Sequence, residues 1–395
     1  MPIFSPASRI PRLAPLILSS AIVVLLGLSS CSSRNRAAEQ LAEDSATAQR
    51  FSSNLTFENI TLEQADEQGR TLWKIKAKSA TYDKDKKVAQ IQNPTGELFQ
   101  DGKAVFNVKA SKGEVREDGD QIFLRGDIVA TDLRNGVVLQ GKEMEWKPKE
   151  DLLVVRNGIT GTHTDANVVA QEAQATTRKQ EIKLVGGVVA TTKDPQAQLK
   201  ADQALWQVKE SLIVAEVPAE AGDRTVRIDR YINNQLSDTA VARRIEVNVK
   251  TKVALLKEKV QMNFSEPPLQ VTGSLITWNF DTQIASSTQP FTAYHQTQQV
   301  TLSANQGDLN IPQDMLYLRT NVLAVAQRNQ SRLQSNTLDW NLSSGQVQAN
   351  GNVVYRQIDP AFELTGPTAA GNLNDQTVVV QGGQVVTEID PTELN

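Results

Sequence analysis

The feature that most constrains this chain is a repeat. Small residues stand at Ala77, Ala110, Gly141, Ala170, Ala201, Ala242, Gly273, Ala304, Ser335 and Gly366, and the interval between successive ones keeps returning to 31 residues. Five positions after each comes Tyr82, Val115, Trp146, Ala175, Trp206, Val247, Trp278, Leu309, Trp340 or Gly371, so four of the five tryptophans share one slot. Self-similarity at a fixed period marks a fold stacked from supersecondary units, none of which buries its apolar face alone. Ahead of each small residue the chain alternates, as in Trp73/Ile75, Phe106/Val108, Val137/Leu139 and Val300/Leu302 with polar residues between, which is the period of a half-buried strand. A polar turn such as Lys147-Pro148-Lys149-Glu150 follows, and then a second apolar segment. Those segments read as Ile122/Leu124, Leu153/Val155, Ile182/Leu184, Leu212/Val214, Val253/Leu255, Leu316/Leu318 and Val378/Val380. Each unit is therefore strand, turn, strand, turn. The fold class is all-β, built from about ten two-strand units of about 31 residues, either one elongated structure or two in tandem.

One unit imitates a different motif. Gly136-x-x-x-x-Gly141-Lys142 is a residue short of a phosphate-binding loop, which needs a Ser or Thr hydroxyl for magnesium after the lysine. Glu143 stands there instead, and Val137, Val138 and Leu139 form a β-branched, apolar strand rather than a loop of backbone N–H groups. Gly141 reads as the small slot of its unit, where two β layers approach closely, with Lys142 and Glu143 facing solvent. The tryptophan slot has two readings, core packing or a binding surface for sugar or lipid, because aromatic rings serve both.

The N-terminus lies outside the repeat. Arg9 and Arg12 precede an uncharged apolar run from Leu13 to Leu28, followed by Ser29-Ser30-Cys31. A basic flank, a short apolar core and small residues describe a secretory signal, and sixteen residues are short for a spanning helix, which needs about 20. Leu28-Ser29-Ser30-Cys31 resembles the lipobox of bacterial lipoproteins, in which the cysteine is lipidated; the alternative is a retained anchor ending in a chance cysteine. With Cys31 the only cysteine, no intrachain disulfide is possible and a structural zinc cluster is disfavoured. The expected division is 1–31 signal with lipobox or anchor, 32–54 tether, 55–215 first β domain, 216–230 insertion or hinge, 231–385 second β domain, and 386–395 a fraying tail. The hinge takes up the 41-residue interval from Ala201 to Ala242.

Chemistry is sparse. A net charge of −4 gives no footprint for nucleic acid, which shows as a basic domain. The two histidines, His163 and His295, lie in different halves outside any motif and read as surface or loop residues. No serine-nucleophile elbow, zinc-protease helix or calcium loop is present, and the acids fall mostly at turns. The expectation is a non-enzyme with no catalytic residues, metal or cofactor.

Gly69-Arg70-Thr71-Leu72-Trp73-Lys74-Ile75-Lys76-Ala77-Lys78-Ser79-Ala80-Thr81-Tyr82, then Phe106-Asn107-Val108-Lys109-Ala110-Ser111-Lys112-Gly113, then Leu124-Arg125-Gly126-Asp127-Ile128 resemble the LptC family of lipopolysaccharide export. The related LptA/OstA-type domains share the motif, and the second half of the chain resembles the same domain type more loosely. The resemblance implies an open β-jellyroll in the periplasm, tethered to a membrane, the inner one by the family pattern. There it would accept lipopolysaccharide from ABC-transporter membrane subunits and pass it to an LptA-like bridge protein or an outer-membrane LptD-like N-domain. The body is about twice a usual domain of this kind, and a lipobox would replace the family's transmembrane anchor.

An acyl chain returns about 0.8 kcal/mol per buried CH₂, so one of fourteen carbons needs shielding worth roughly 10 kcal/mol. The candidate lipid trough is Ile75, Phe106, Val108, Val137, Leu139, Val168, Leu199, Leu269, Val271, Val300, Leu302, Leu333, Phe362 and Leu364. Open sheet ends would serve strand addition by neighbouring domains. The rival reading is a structural or adhesive envelope lipoprotein whose interior is closed and filled.

Overall fold

The computed structural model describes residues 54–389 apart from 84–85, 117–118, 120, 359–360, 376 and 383–385. Cys31 and the signal or anchor segment lie outside the described residues, as does the tether up to its last residue. Among the described residues no helix is long and apolar enough to cross a membrane.

From Asn54 onward the chain is all-β. Its strands join antiparallel in one continuous hydrogen-bonded ladder that passes from each unit to the next. The unit read from the sequence is the unit observed. Val138–Lys147 carries Gly141 and Trp146, turns at Pro148–Glu150, and returns as Leu152–Thr162. The next unit repeats this with Asn167–Thr176 and Glu181–Lys193. The extra length near 216–230 folds as a short turn at Ala219–Ala221 and a strand, Val226–Ile232, that stays in the ladder between Gln196–Gln207 and Gln235–Ala242. Buried apolar residues likewise form one cluster from Trp73 to Leu342, passing Val226 and Ile228 on the way. Val386–Ile389, placed in the tail by the sequence, pairs with Phe362–Asn372 as a strand.

Most strands obey period 2, but two segments have the opposite phase to the one expected. Ile213 and Ala215 point inward rather than Leu212 and Val214, and Ala254 and Leu256 rather than Val253 and Leu255. Where four consecutive residues are apolar, alternation cannot fix the phase. The register of the neighbours fixes it instead, because a slip of one residue exchanges the two faces.

The small slot has a more local cause than a close approach of two layers. The returning strands carry a two-residue bulge with left-handed backbone at Gly126-Asp127, Asn157-Gly158, Gly186-Gly187, Glu258-Lys259, Thr320-Asn321 and Gly351-Asn352. The ladder register jumps at each, between Arg125 and Ile128 for example, and Ile128 then faces Gly141. A Cβ on Gly141 would sit 2.5 Å from Val155 Cγ1 and 3.2 Å from the Arg156 carbonyl oxygen, which belong to the adjacent strand beside its own bulge. Bulges bend a strand and increase its twist. The small residues mark the column where each unit bends, and Lys142 and Glu143 just beyond it are exposed as expected.

Candidate functional site

The bend divides each unit into two arms, and each arm carries one inward-facing row that the ladder threads from strand to strand. On the arm ahead of the bend the cross-strand partners run Ile75, Gly96, Val108, Ala130, Leu139, Gly161, Val168, Ala190 and Leu199. They continue through Ile228, Ala240, Met262, Val271, Ala293, Leu302, Ala324, Leu333, Tyr355 and Leu364. Nine of the fourteen trough candidates thus share a single row. Phe106, Val137, Leu269, Val300 and Phe362 lie two residues further out along the same face, with Leu269 and Val300 bracketing His295 in their own cross-strand run. The row alternates large with small over most of its length. Sequence reading found nine of the large members; it missed Ile228, Met262 and Tyr355, and also the small Gly96, Ala130, Gly161, Ala190, Ala293 and Ala324 that alternate with the large ones.

The other arm carries the tryptophans. Trp146, Leu153, Ala175, Ile182 and Trp206 are successive cross-strand partners, and the run continues through Ile213, Val247 and Ala254 to Trp278. Ala285, Leu309 and Leu316 carry it on to Trp340. Successive tryptophans are thus four strand steps apart, about 19 Å along the sheet at 4.7–4.9 Å per step.

The two rows face each other across the interior. A Cβ on Gly161 would come within 3.9 Å of the Trp206 ring. Residues from the first arm touch the tryptophans in a repeated manner: His163 lies edge-on to Trp206 at 5.7 Å, Phe264 edge-on to Trp278 at 5.9 Å, and His295 tilted on Trp340 at 5.0 Å. His163 sits in a loop, as expected for it. His295 does not: it is a buried strand residue, 4% exposed, whose Nδ1 accepts the Gln298 backbone N–H. Burial holds its pKa below the ordinary value.

The interior is buried rather than gaping. Eleven of the trough candidates, from Ile75 to Leu302, are at most 7% exposed, while Leu333, Phe362 and Leu364 are half-buried. That C-terminal end holds an apolar cavity of about 90 Å³ lined by Val300, Leu302, Leu333, Trp340, Val347 and Tyr355 among others. Midway the apolar lining is interrupted by a buried ion pair. Arg230 donates from Nε to Asp238 Oδ2 at 2.6 Å and from a terminal nitrogen to Gln283 Oε1 at 3.1 Å, with its guanidinium 5.9 Å from the Trp278 ring. Among the described residues no group of His, Cys, Asp and Glu is arranged to hold a metal.

A family model described as lipopolysaccharide-assembly, LptC-related, matches residues 21–192 and 281–388, well over half of the chain. The chain belongs to the LptC-related lipopolysaccharide-assembly family. The stretch 193–280 between the two matched segments contains the Arg230–Asp238 pair and remains in the same ladder. Among solved structures the chain is similar to LptH, described as the LptA homologous periplasmic component of the conserved lipopolysaccharide transport device from Pseudomonas aeruginosa. The likeness is at 12% identity and a TM-score of 0.28, over 32% of this chain and 94% of that one. No curated protein sequence matches.

The ladder leaves pairing edges at its ends. The first strand, Asn54–Ala65, pairs with Thr71–Asp83 on one side and has no other strand partner among the described residues, and Leu55 and Phe57 on it are exposed. At the other end Thr377–Gln381 pairs with Phe362–Asn372 and exposes Val379.

Proposed function

We propose that this LptC-related chain binds lipopolysaccharide on the periplasmic side of a membrane, probing the cargo's acyl chains between its two facing apolar rows and handing them along the ladder. The observation that carries the reading is the row from Ile75 to Leu364, which crosses both halves of the chain without leaving the interior. Acyl chains enter by parting the two arms on the side opposite the bend, replacing side-chain contacts by lipid contacts of similar kind. Because both phases are apolar, the exchange costs little, whereas leaving a chain in water costs about 0.8 kcal/mol per CH₂. The halves 55–215 and 231–385 act as one slide, since the ladder continues through 216–230.

The edges Asn54–Ala65 and Thr377–Gln381 take up strands from neighbouring domains, the ABC transporter's membrane subunits at one end and an LptA-like or LptD-like domain at the other. Main-chain pairing supplies affinity in such β-augmentation. Lipidation at Cys31 tethers the body to its membrane. A diacyl or triacyl mass on the N-terminal peptide supports the tether, and an unprocessed N-terminus contradicts it.

A second reading is favoured by one observation: residues such as Ile75, Leu139 and Leu269, at 0% exposure, already fill the interior. On that reading the chain is a closed-core structural envelope protein. Depletion of the chain in its own host separates the two. Newly made lipopolysaccharide stalls at the inner membrane if the chain carries it, and reaches the cell surface at the normal rate if the chain is structural.

A further inference from the structure

Five tryptophans fill equivalent or neighbouring places in this interior, yet their indole N–H groups do not share one fate. Trp73 is 3% exposed and donates from Nε1 to the Gly119 carbonyl at 3.0 Å. Among the described residues the buried side-chain nitrogens without a partner are the Nε1 atoms of Trp146, Trp278 and Trp340, all in the slot five residues after the bend. An unpaired buried donor is a standing cost, and a native structure that repeats one at a fixed place calls for an explanation. Phenylalanine would fill the same slot without that cost.

Of the three, Trp340 lines an apolar cavity, the one of about 90 Å³. It is 0% exposed and lies against His295. An apolar cavity of about 150 Å³ takes up benzene and stays free of water, so a cavity of this size and lining suits a stretch of hydrocarbon. Two polar side chains near it have partners of their own. Tyr355 donates its hydroxyl to Gln357 at 2.9 Å, and Arg328 donates to the Thr297 carbonyl at 2.7 Å. The indole N–H of Trp340 is an unmet donor on a residue that lines this apolar site.

We propose that Trp340 is a specificity-determining residue whose Nε1–H donates to an oxygen carried within an acyl chain, the carbonyl or hydroxyl of an ester-linked or 3-hydroxylated chain. The cavity thereby prefers such chains to plain hydrocarbon of the same length. The inference rests on the trough reading and refines it. A site built to hydrogen-bond a ligand group rejects an analogue lacking that group, because its own donor is then left buried and unpaired. Plain hydrocarbon leaves that cost standing; an oxygen-bearing chain removes it.

The test uses the full chain with ¹⁵N-labelled indoles and two length-matched probes, methyl 3-hydroxydecanoate and decane. The Trp340 indole proton, assigned by its absence in Trp340→Phe, is expected to move downfield with the ester and to stay in place with decane. Trp340→Phe is expected to weaken ester binding about tenfold, the loss of roughly 1.4 kcal/mol, and to leave decane binding unchanged. Equal indole shifts with both probes, or ester affinity unaltered in Trp340→Phe, would overturn the proposal. If decane binds and the ester gains nothing, the donor role fails while the trough stands. If neither probe enters the cavity, the donor role and the trough reading at this end fail together. The indole shifts are read on the unsubstituted chain, so they decide the matter even if the variant folds poorly.

Discussion

Arg230 and Asp238 put a charged pair where every neighbouring position along the interior is apolar, and the strength of their coupling reports whether that interior is dry. Their side chains are 5% and 1% exposed. Replacing Asp238 with leucine leaves the guanidinium with Gln283 as its remaining hydrogen-bond partner and with the face of Trp278. Removing one member of a buried pair costs about 3–5 kcal/mol, because the other charge stays behind without compensation. Asp238→Leu should therefore lower the free energy of unfolding by that amount, and Arg230→Met by a similar one. The double variant, Arg230→Met with Asp238→Leu, should return to within about 1 kcal/mol of the parent, since a well-packed apolar pair of like volume often replaces a buried ion pair without loss. Urea denaturation of the four proteins measures the cycle, with the slope checked for constancy so that midpoint shifts can be read as stability. Single variants that each cost under about 1 kcal/mol would mean that the pair is not buried in a dry interior. Exposed pairs are worth that little, so the result would place water around Arg230 and make the middle of the interior an open channel.

Gly141→Val should destabilise the fold by about 1–3 kcal/mol, the range for an overpacked core site, because its Cβ would meet Val155 Cγ1 at 2.5 Å and the Arg156 carbonyl at 3.2 Å; an unchanged urea midpoint would remove the steric account of the small slot. His295 supplies a pH dependence. Its folded pKa lies below its ordinary value of 6.5, so the unfolded chain binds the proton more readily, and the stability gained by keeping the ring neutral is complete above about pH 6.5 and falls as pH drops toward the lowered folded value. His295→Gln should flatten that part of the stability–pH curve, and parallel curves for the two proteins would contradict it.

The repeat carried most of the fold into view, because two periods in the sequence map onto two directions in the structure. Alternation by two gives the inward face of a strand, and recurrence near 31 stacks those faces, which brings Ile75, Leu139 and Leu302 into one row. Phase was legible only where polar residues flank the apolar ones. At Leu212–Ala215 and Val253–Leu256 four apolar residues run together, and the neighbouring strands decide which pair is buried. The bulges were written in the chain as Gly126-Asp127, Asn157-Gly158, Gly186-Gly187 and Gly351-Asn352, residue types that tolerate left-handed backbone. They recur with the same period and could have explained the small slots directly. Nothing local marks His295 as buried or joins Arg230 to Asp238. A histidine in a strand can face either way, and each of the two charges becomes tolerable inside only because the other is there.

Passage of lipid between the facing rows is open to in-cell photocrosslinking. A photoreactive side chain at Leu139, which is 0% exposed and in the row, is compared with one at Gln140, the exposed neighbour on the outer face. Lipopolysaccharide adducts are expected at Leu139 and none at Gln140, with the same outcome as Leu139 at Val108 and Leu302. A folded, abundant protein that gives no adduct at any of the three inward positions would contradict lipid passage and leave the interior as a closed core.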